Sequence, residues 1–293
     1  MLAPLQHRDH AAAAPDAPAA ALTVRALGYR RVRSSRPDEV ADLGAAADAL
    51  GRLAASEREH LCGDAHVDDY VVSSTILSML LLNGSACGRR FTDAVSHAAP
   101  RPLDWMTCSY ECAGWGYVFA RSLAKAAVDG PRTLLLQIVD VDAHGFSYWH
   151  ANPMWGGSGF GISTLLVDVR PADAAPLVNE AAHPGSAVVQ LGRRLRAFCA
   201  EHPDARLAIP FFPAPSRRAL LVGVGRVPLL PDGHQRFGHS FGSDPWISLL
   251  LGLVEERGAD TEAVVSSLAL NGYYSIARIA LAADARFSLE VST

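Results

Sequence analysis

The 293-residue chain reads as an α/β protein of two halves, and three observations predict this. Residues 102–107, 113–128 and 133–140 run as apolar strand, helix and strand, and the last is a continuous apolar stretch of the kind covered on both sheet faces. A second series of strand and helix patterns follows from residue 187 onward. Between the two series lies an Ala/Pro-rich, polar segment, residues 170–186, that marks a boundary. The expected organisation is a disordered Ala/Pro-rich tail over 1–21, an N-terminal half over 22–170 and a C-terminal half over 171–293.

Taken in order, residues 1–21 carry His and Asp where a secretory leader has its apolar stretch. Residues 22–28 read as a strand or a short connector. Residues 37–61 read as a helix, with Asp38 and Glu39 in the first turn, where the helix dipole favours carboxylates. Residues 70–76 are β-rich and lead from a strand into a further segment, 77–82. Trp115, Phe119, Leu123 and Ala126 recur at helical spacing within 113–128. Residues 155–161 form a glycine-rich turn feeding a strand over 162–169. That turn lacks a Gly-Lys-Ser/Thr ending and a following helix, so close backbone packing explains it better than phosphate binding. The second half reads as a helix over 187–199, a strand over 205–210, an apolar segment of open type over 217–225, a loop over 227–246 and a helix over 247–257. Apolar runs 263–270 and 274–281 flank Asn271-Gly272 as a hairpin, and 287–291 is a last strand.

Hydrophobic residues make up 49% of the chain and charged residues 19%, with net charge −4, which suits a compact cytosolic enzyme. That balance offers no electrostatic footprint for nucleic acid or an anionic membrane. No run of about 18 apolar residues suggests a membrane helix. Cys62, Cys87, Cys108, Cys112 and Cys199 are odd in number and lack disulfide-module spacing, which argues for a reducing, cytoplasmic compartment.

The chemistry concentrates at Cys112, between a strand and a helix start. Amide dipoles there favour a thiolate, and the bland alternative is a buried, inert thiol. The loop Gly238-His-Ser-Phe-Gly-Ser-Asp244 is the other reactive-looking piece. A histidine supplies a base near neutrality, and the Asp244 carboxylate could hold its tautomer; Asp244 before Pro245 also reads as a helix cap. His60, Cys62, His66, Asp68 and Asp69 match no zinc spacing and read as a polar loop. Asp140, Asp142, His144 and His150 follow a strand end as bystanders or pocket rim. The tryptophans read as core and tunnel wall, since no basic stripe accompanies them.

Glu111-Cys-Ala-Gly-Trp115 resembles the Cys-Ala-Gly-Phe nucleophile turn of the ketoacyl-acyl-carrier-protein synthase III group of the thiolase superfamily. Residues 70–76 and 133–142 resemble the family strands on either side of that turn. Residues 155–167 resemble its Phe-Gly-Asp-Gly-Ala-Gly segment, with Gly157 at the aspartate. Asn271-Gly-Tyr-Tyr-Ser-Ile-Ala277 resembles the Gly-Gly-Gly-Phe-Thr-Trp-Gly loop that supplies an oxyanion-hole amide, with Gly272 at the last glycine. On that alignment His239 replaces the family asparagine and Phe211 the family histidine, so the condensing Cys-His-Asn trio lacks two members. Cys112 with His239-x4-Asp244 is similar instead to a divergent branch from antibiotic pathways that transfers acyl groups to oxygen or nitrogen.

The resemblance implies a thiolase-like α/β fold of two pseudo-equivalent halves in αβαβα layers. The N-terminal half is expected to lack its first strand, because residues 1–21 are Ala/Pro-rich where the family has strand and loop. It implies an acyltransferase of secondary-metabolite biosynthesis, in which Cys112 takes an acyl group from an acyl-carrier-protein or coenzyme A thioester and passes it to a hydroxyl or amine of a small-molecule acceptor. Cys112, His239 and Asp244 are the expected catalytic residues, the backbone of Cys112 and Gly272 the oxyanion hole, and Phe211, Trp155 and Trp246 the substrate-binding side chains. A homodimer is implied, without cofactor, metal, nucleic acid or membrane. Alternative readings are a decarboxylative carbon–carbon condensing enzyme and a non-catalytic thiolase-fold partner subunit.

Overall fold

The computed structural model describes residues 20–33, 42–78, 85–99, 101–143, 147–172, 176–256 and 260–291. Its first half runs β1 (Leu22–Arg31), α1 (Leu43–Cys62), β2 (Asp69–Ser73), α2 (Ser85–Ser96), β3 (Trp105–Thr107), a 3-10 turn (Glu111–Ala113), α3 (Gly114–Asp129), β4 (Arg132–Asp140), α4 (Ser147–His150), β5 (Ala151–Asn152), β6 (Gly156–Gly157) and β7 (Gly161–Val169). The second runs β8 (Leu177–Ala181), α5 (Ala187–Ala200), β9 (Arg206–Ala208), α6 (Ala214–Val224), α7 (His234–Phe237), a 3-10 turn (Phe241–Ser243), α8 (Asp244–Val254), β10 (Glu262–Leu268) and β11 (Tyr273–Glu290).

The strands lie in the order β3-β2-β4-β7-β1-β11-β10-β9, with β8 also on β11. Pairing repeats between the series. β2 pairs β4 in parallel, β4 pairs β7 antiparallel and β7 pairs β1 antiparallel; β9 pairs β10 in parallel, β10 pairs β11 antiparallel and β11 pairs β8 antiparallel. The far end of β11 then runs parallel to β1 and joins the two series.

Alternation along the strands sorts side chains into layers, since neighbours in a strand point to opposite faces. Leu134, Leu136 and Ile138 of β4 join the central cluster, which also holds Trp115, Phe119, Trp246 and Leu249 from α3 and α8. Leu135 and Val139 point the other way, into a cluster with Ala47, Leu50, Phe91 and Val95 from α1 and α2. In the second series Val265 faces the central cluster, and Val264 packs with Leu191, Leu195 and Leu220 from α5 and α6. The result is an αβαβα stack. The α8 helix is buried from Asp244 through Gly252, as expected of a helix apolar on every side in a middle layer.

Several expectations meet this structure directly. The helix foreseen over 37–61 begins at Leu43, where the Asp42 carboxylate accepts from Gly44 N (2.7 Å) and Ala45 N (3.2 Å) as an N-cap; Asp38 and Glu39 lie outside the described residues. Residues 217–224 belong to a helix, α6, which Gly225 caps. The boundary segment 170–186 contains β8, short and only partly buried, so its Ala/Pro-rich composition hid a strand. The hairpin at Asn271-Gly272 forms, but its second arm and the expected last strand are one continuous strand, because β1 takes over as partner where β10 and β8 end. The tail and the N-terminal loss expected within residues 1–21 fall mostly outside the described residues; β1 itself occupies the middle of the sheet.

Candidate active site

Each series sends one tight turn into one central helix. Beyond β3 the chain reaches Glu111 at φ 46°, a left-handed conformation uncommon outside glycine, and then Cys112. Contacts hold this turn on several sides. The Glu111 carboxylate accepts from Leu270 N at 2.9 Å and Asn271 N at 3.4 Å. Ser275 Oγ donates to Ala113 O at 2.9 Å. Gly114 and Gly116 are required by close approach: a Cβ would stand 2.3 Å from Ser73 Oγ and 2.2 Å from Ser275 Oγ, respectively.

The second turn passes His239 and reaches Phe241, at φ 54°, before Asp244 opens α8. His239 is 4% exposed and Asp244 is fully buried. His239 N donates to Gly157 O (2.8 Å) and its carbonyl accepts from Gly159 N (2.9 Å), which fastens the turn to the glycine-rich segment. That segment serves close packing as expected, since a Cβ on Gly159 would lie 1.8 Å from Phe237 O.

The two turns bring Cys112, His239 and Asp244 together. His239 Nε2 lies 3.8 Å from Cys112 Sγ, and Thr75 Oγ1 donates to the same sulfur at 3.8 Å. His239 Nδ1 lies 2.7 Å from Asp244 Oδ2 and 3.2 Å from Phe211 O. Both neighbours of Nδ1 are acceptors, so the ring proton belongs there and Nε2 presents its lone pair to the thiol. Asp244 also accepts from Phe211 N (2.9 Å) and Ser240 N (2.6 Å). Its carboxylate is therefore turned inward to the histidine rather than serving as the helix cap.

The electrostatics run against the thiolate expected from the helix start. Burial pushes the Cys112 thiol well above its ordinary value, helped by the negative charges of Asp140, Glu111 and Asp244 and opposed by the Thr75 hydroxyl. The surroundings of Cys112 therefore favour the neutral thiol, with the His239 ring beside it.

Cys112 and His239 open on a largely apolar cavity of about 120 Å³ lined by Met154, Trp155, Phe212, Leu268 and Leu270, among others. Trp155 lines this cavity, its ring centre 6.0 Å from that of His239. Phe211 and Trp246 are corrections. Both side chains belong to the central core, Trp246 packing edge-on against Trp115 at 5.3 Å. Phe211 serves the site through its backbone, whose N–H and C=O clamp Asp244 and His239. The Gly272 amide donates to Ala269 O at 3.0 Å, and the two amides before it meet the Glu111 carboxylate.

Sequence reasoning passed over two residues. Asp140, read as pocket rim, is 1% exposed and accepts from Thr75 N (2.7 Å), Ser74 Oγ (3.1 Å) and Gly242 N (3.1 Å). Its signal was a carboxylate closing a largely apolar strand. Thr75 had no signal of its own. Asp142 pairs with His150 Nε2 at 3.0 Å, and His144 lies outside the described residues. In the polar loop after α1, Asp68 accepts from Thr133 N (2.8 Å) and Asp69 pairs with Lys125 and with Arg132. Among the described residues no group of His, Cys, Asp and Glu could hold a metal ion, and no helix is long and apolar enough to cross a membrane.

No protein-family model and no curated protein sequence matches the chain. Solved structures do match it. The 3-oxoacyl-(acyl carrier protein) synthase III from Pseudomonas aeruginosa PAO1 is similar at 15% identity and TM-score 0.61, over 89% of this chain and 98% of that one. The acyltransferase ChlB3 matches at 13% identity and TM-score 0.63, over 89% and 98%. AbyA1, a tetronic acid condensing enzyme, matches at 13% identity and TM-score 0.58, over 87% and 99%. At these identities the likeness is one of fold, and the fold is the thiolase-like fold of the ketoacyl synthase III structures.

Proposed function

We propose that the chain is an acyltransferase working through a Cys112 acyl-enzyme, its halves 22–170 and 171–293 supplying the nucleophile and the acid–base pair. The observation that carries this reading is the line Cys112 Sγ, His239 Nε2, His239 Nδ1, Asp244 Oδ2, with separations of 3.8 and 2.7 Å across it. A thioester from an acyl carrier protein or coenzyme A enters the apolar cavity. Cys112 Sγ attacks its carbonyl carbon as His239 Nε2 takes the thiol proton; the carrier sulfur leaves and takes that proton back. An acceptor hydroxyl or amine then gives its proton to Nε2 and attacks the Cys112 thioester, and the returning thiolate is reprotonated. Asp244 steadies the imidazolium in both steps.

A raised thiol pKa suits this cycle, since the proton moves only when an electrophile and the base are both in place. The Cys112 amide is the oxyanion donor in this reading. The structural neighbours support it in that they include both acyltransferase and condensing enzymes. Phe211 favours transfer over condensation, because it stands at the family's condensing histidine and its ring is in the core.

The non-catalytic reading draws on one observation, the engagement of Gly272 N by Ala269 O. Intact-mass screening against acyl-carrier-protein and coenzyme A thioesters separates the two. An adduct on the wild type that is absent from Cys112→Ala is expected; no adduct with any donor, together with a co-purifying second thiolase-fold chain, would favour the partner role. A cytoplasmic homodimer is part of the proposal, and sedimentation of the purified chain tests the dimer.

A further inference from the structure

We propose that Asp140 is a positioning residue of this site: its carboxylate holds the Thr75 end of β2 and the Gly242 turn together, and so sets how Cys112 meets His239. The two oxygens divide this task. Oδ1 accepts from Thr75 N at 2.7 Å and Ser74 Oγ at 3.1 Å, and Oδ2 accepts from Gly242 N at 3.1 Å. Thr75 carries the hydroxyl that reaches Cys112 Sγ. Gly242 lies between His239 and Asp244 in the second turn, and a Cβ placed there would stand 3.5 Å from both Asp140 Oδ2 and Cys112 O. One buried carboxylate thus touches both halves of the reacting constellation without touching the reacting atoms.

Its charge is felt by Cys112 in the nucleophile turn, by Cys108 just beyond β3 and by Tyr29 of β1. Glu111 and Asp244 act on Cys112 beside it, and Asp244 pairs with His239 in the second turn. Burial pushes Asp140 up to about 6, against the lowering effect of the Thr75 and Gly242 amides. It is therefore ionised at neutral pH, and after burial it is the first cause holding the Cys112 thiol up. Asp140 then has two separable effects, a geometric one on the turns and an electrostatic one on the thiol.

The test is alkylation of Cys112 by iodoacetamide across a range of pH, read by peptide mass on the full chain, beside acyl transfer. Asp140→Asn keeps the shape and removes the charge. Its rate–pH curve is expected to lie at lower pH than that of the wild type, with Cys112 labelling at about pH 8 several-fold faster. Asp140→Glu keeps the charge but moves it by a methylene, so its curve stays near the wild type while acyl transfer falls about tenfold or more. An unmoved curve in Asp140→Asn, or wild-type transfer in Asp140→Glu, would overturn the proposal.

Should Asp140→Asn fail to fold, Thr75→Val decides. Losing the hydroxyl on Sγ is expected to move the curve upward, and no movement refutes the clamp. Only the transfer measurement rests on Cys112 as the acyl carrier. A moved curve in a protein that accepts no acyl group would remove that reading and leave the positioning role standing.

Discussion

The two turns that feed the central helices share a backbone and differ in what they deliver. Each has a non-glycine residue in the left-handed region, Glu111 at φ 46° and Phe241 at φ 54°, opening a 3-10 turn that leads into a helix, partly buried in the first case and buried in the second. In the first turn the carboxylate of Glu111 points away to Leu270 and Asn271, and the thiol is left in apolar surroundings with Ile76, Phe160 and Phe241. In the second the carboxylate of Asp244 points in and grips an imidazole. The same scaffold presents a thiol in one half and an imidazole held by a carboxylate in the other, so what differs is the side chains hung on a repeated backbone.

The comparison breaks most visibly at the sulfur. Cys112→Ala should remove the acyl adduct on intact-mass analysis and lower transfer by about 10⁴-fold or more; transfer surviving near the wild-type rate would take the reagent away from the first turn. Asp244→Asn tests the second turn. It leaves the shape but lets Nε2 hold the ring proton, and both acylation and transfer are expected to fall about 10²- to 10⁴-fold in single-turnover assays. Equal rates would mean that the imidazole needs no orienting carboxylate.

Stability sharpens the contrast by about 3 kcal/mol at most. Asp140 has its carboxyl raised from 3.8 to about 6, so the folded protein holds this proton more tightly than the unfolded chain. That contribution is complete below pH 3.8 and lost as pH rises through about 6. Urea denaturation should therefore show Asp140→Asn gaining on the wild type between those pH values, by up to about 3 kcal/mol; a constant difference would place the charge elsewhere. The smallest effect belongs to Glu111→Gln, which weakens two amide contacts and should cost about 1 kcal/mol in the same experiment. A larger loss there would make the first turn as dependent on its carboxylate as the second.

What could be read from the residues follows the range of the forces involved. Helices α3, α5 and α8 and strands β4, β7 and β10 announce themselves through local periodicity, and the Cys112 turn through a thiol placed between strand and helix. The spacing of His239 and Asp244 is local too, since both sit in one turn. β8 was missed because its five residues are only partly buried and take their order from β11. Phe211 was expected as a substrate contact through the resemblance alone, whereas its ring lies in the core and its backbone N–H and C=O meet Asp244 and His239.

For the nucleophile turn itself, the sequence determined that a thiol would stand at a helix entrance and that a histidine with a carboxylate would be available to meet it. The tertiary structure alone decided that the surroundings oppose the thiolate. Burial and the carboxylates of Asp140, Glu111 and Asp244 converge on Cys112, two of them from other segments of the chain. Likewise the Gly272 loop can be read from the sequence as a turn, yet the Glu111 carboxylate that accepts from Leu270 N lies 159 residues away. Local pattern specifies which groups exist, while desolvation and long-range contacts set their charge and their direction.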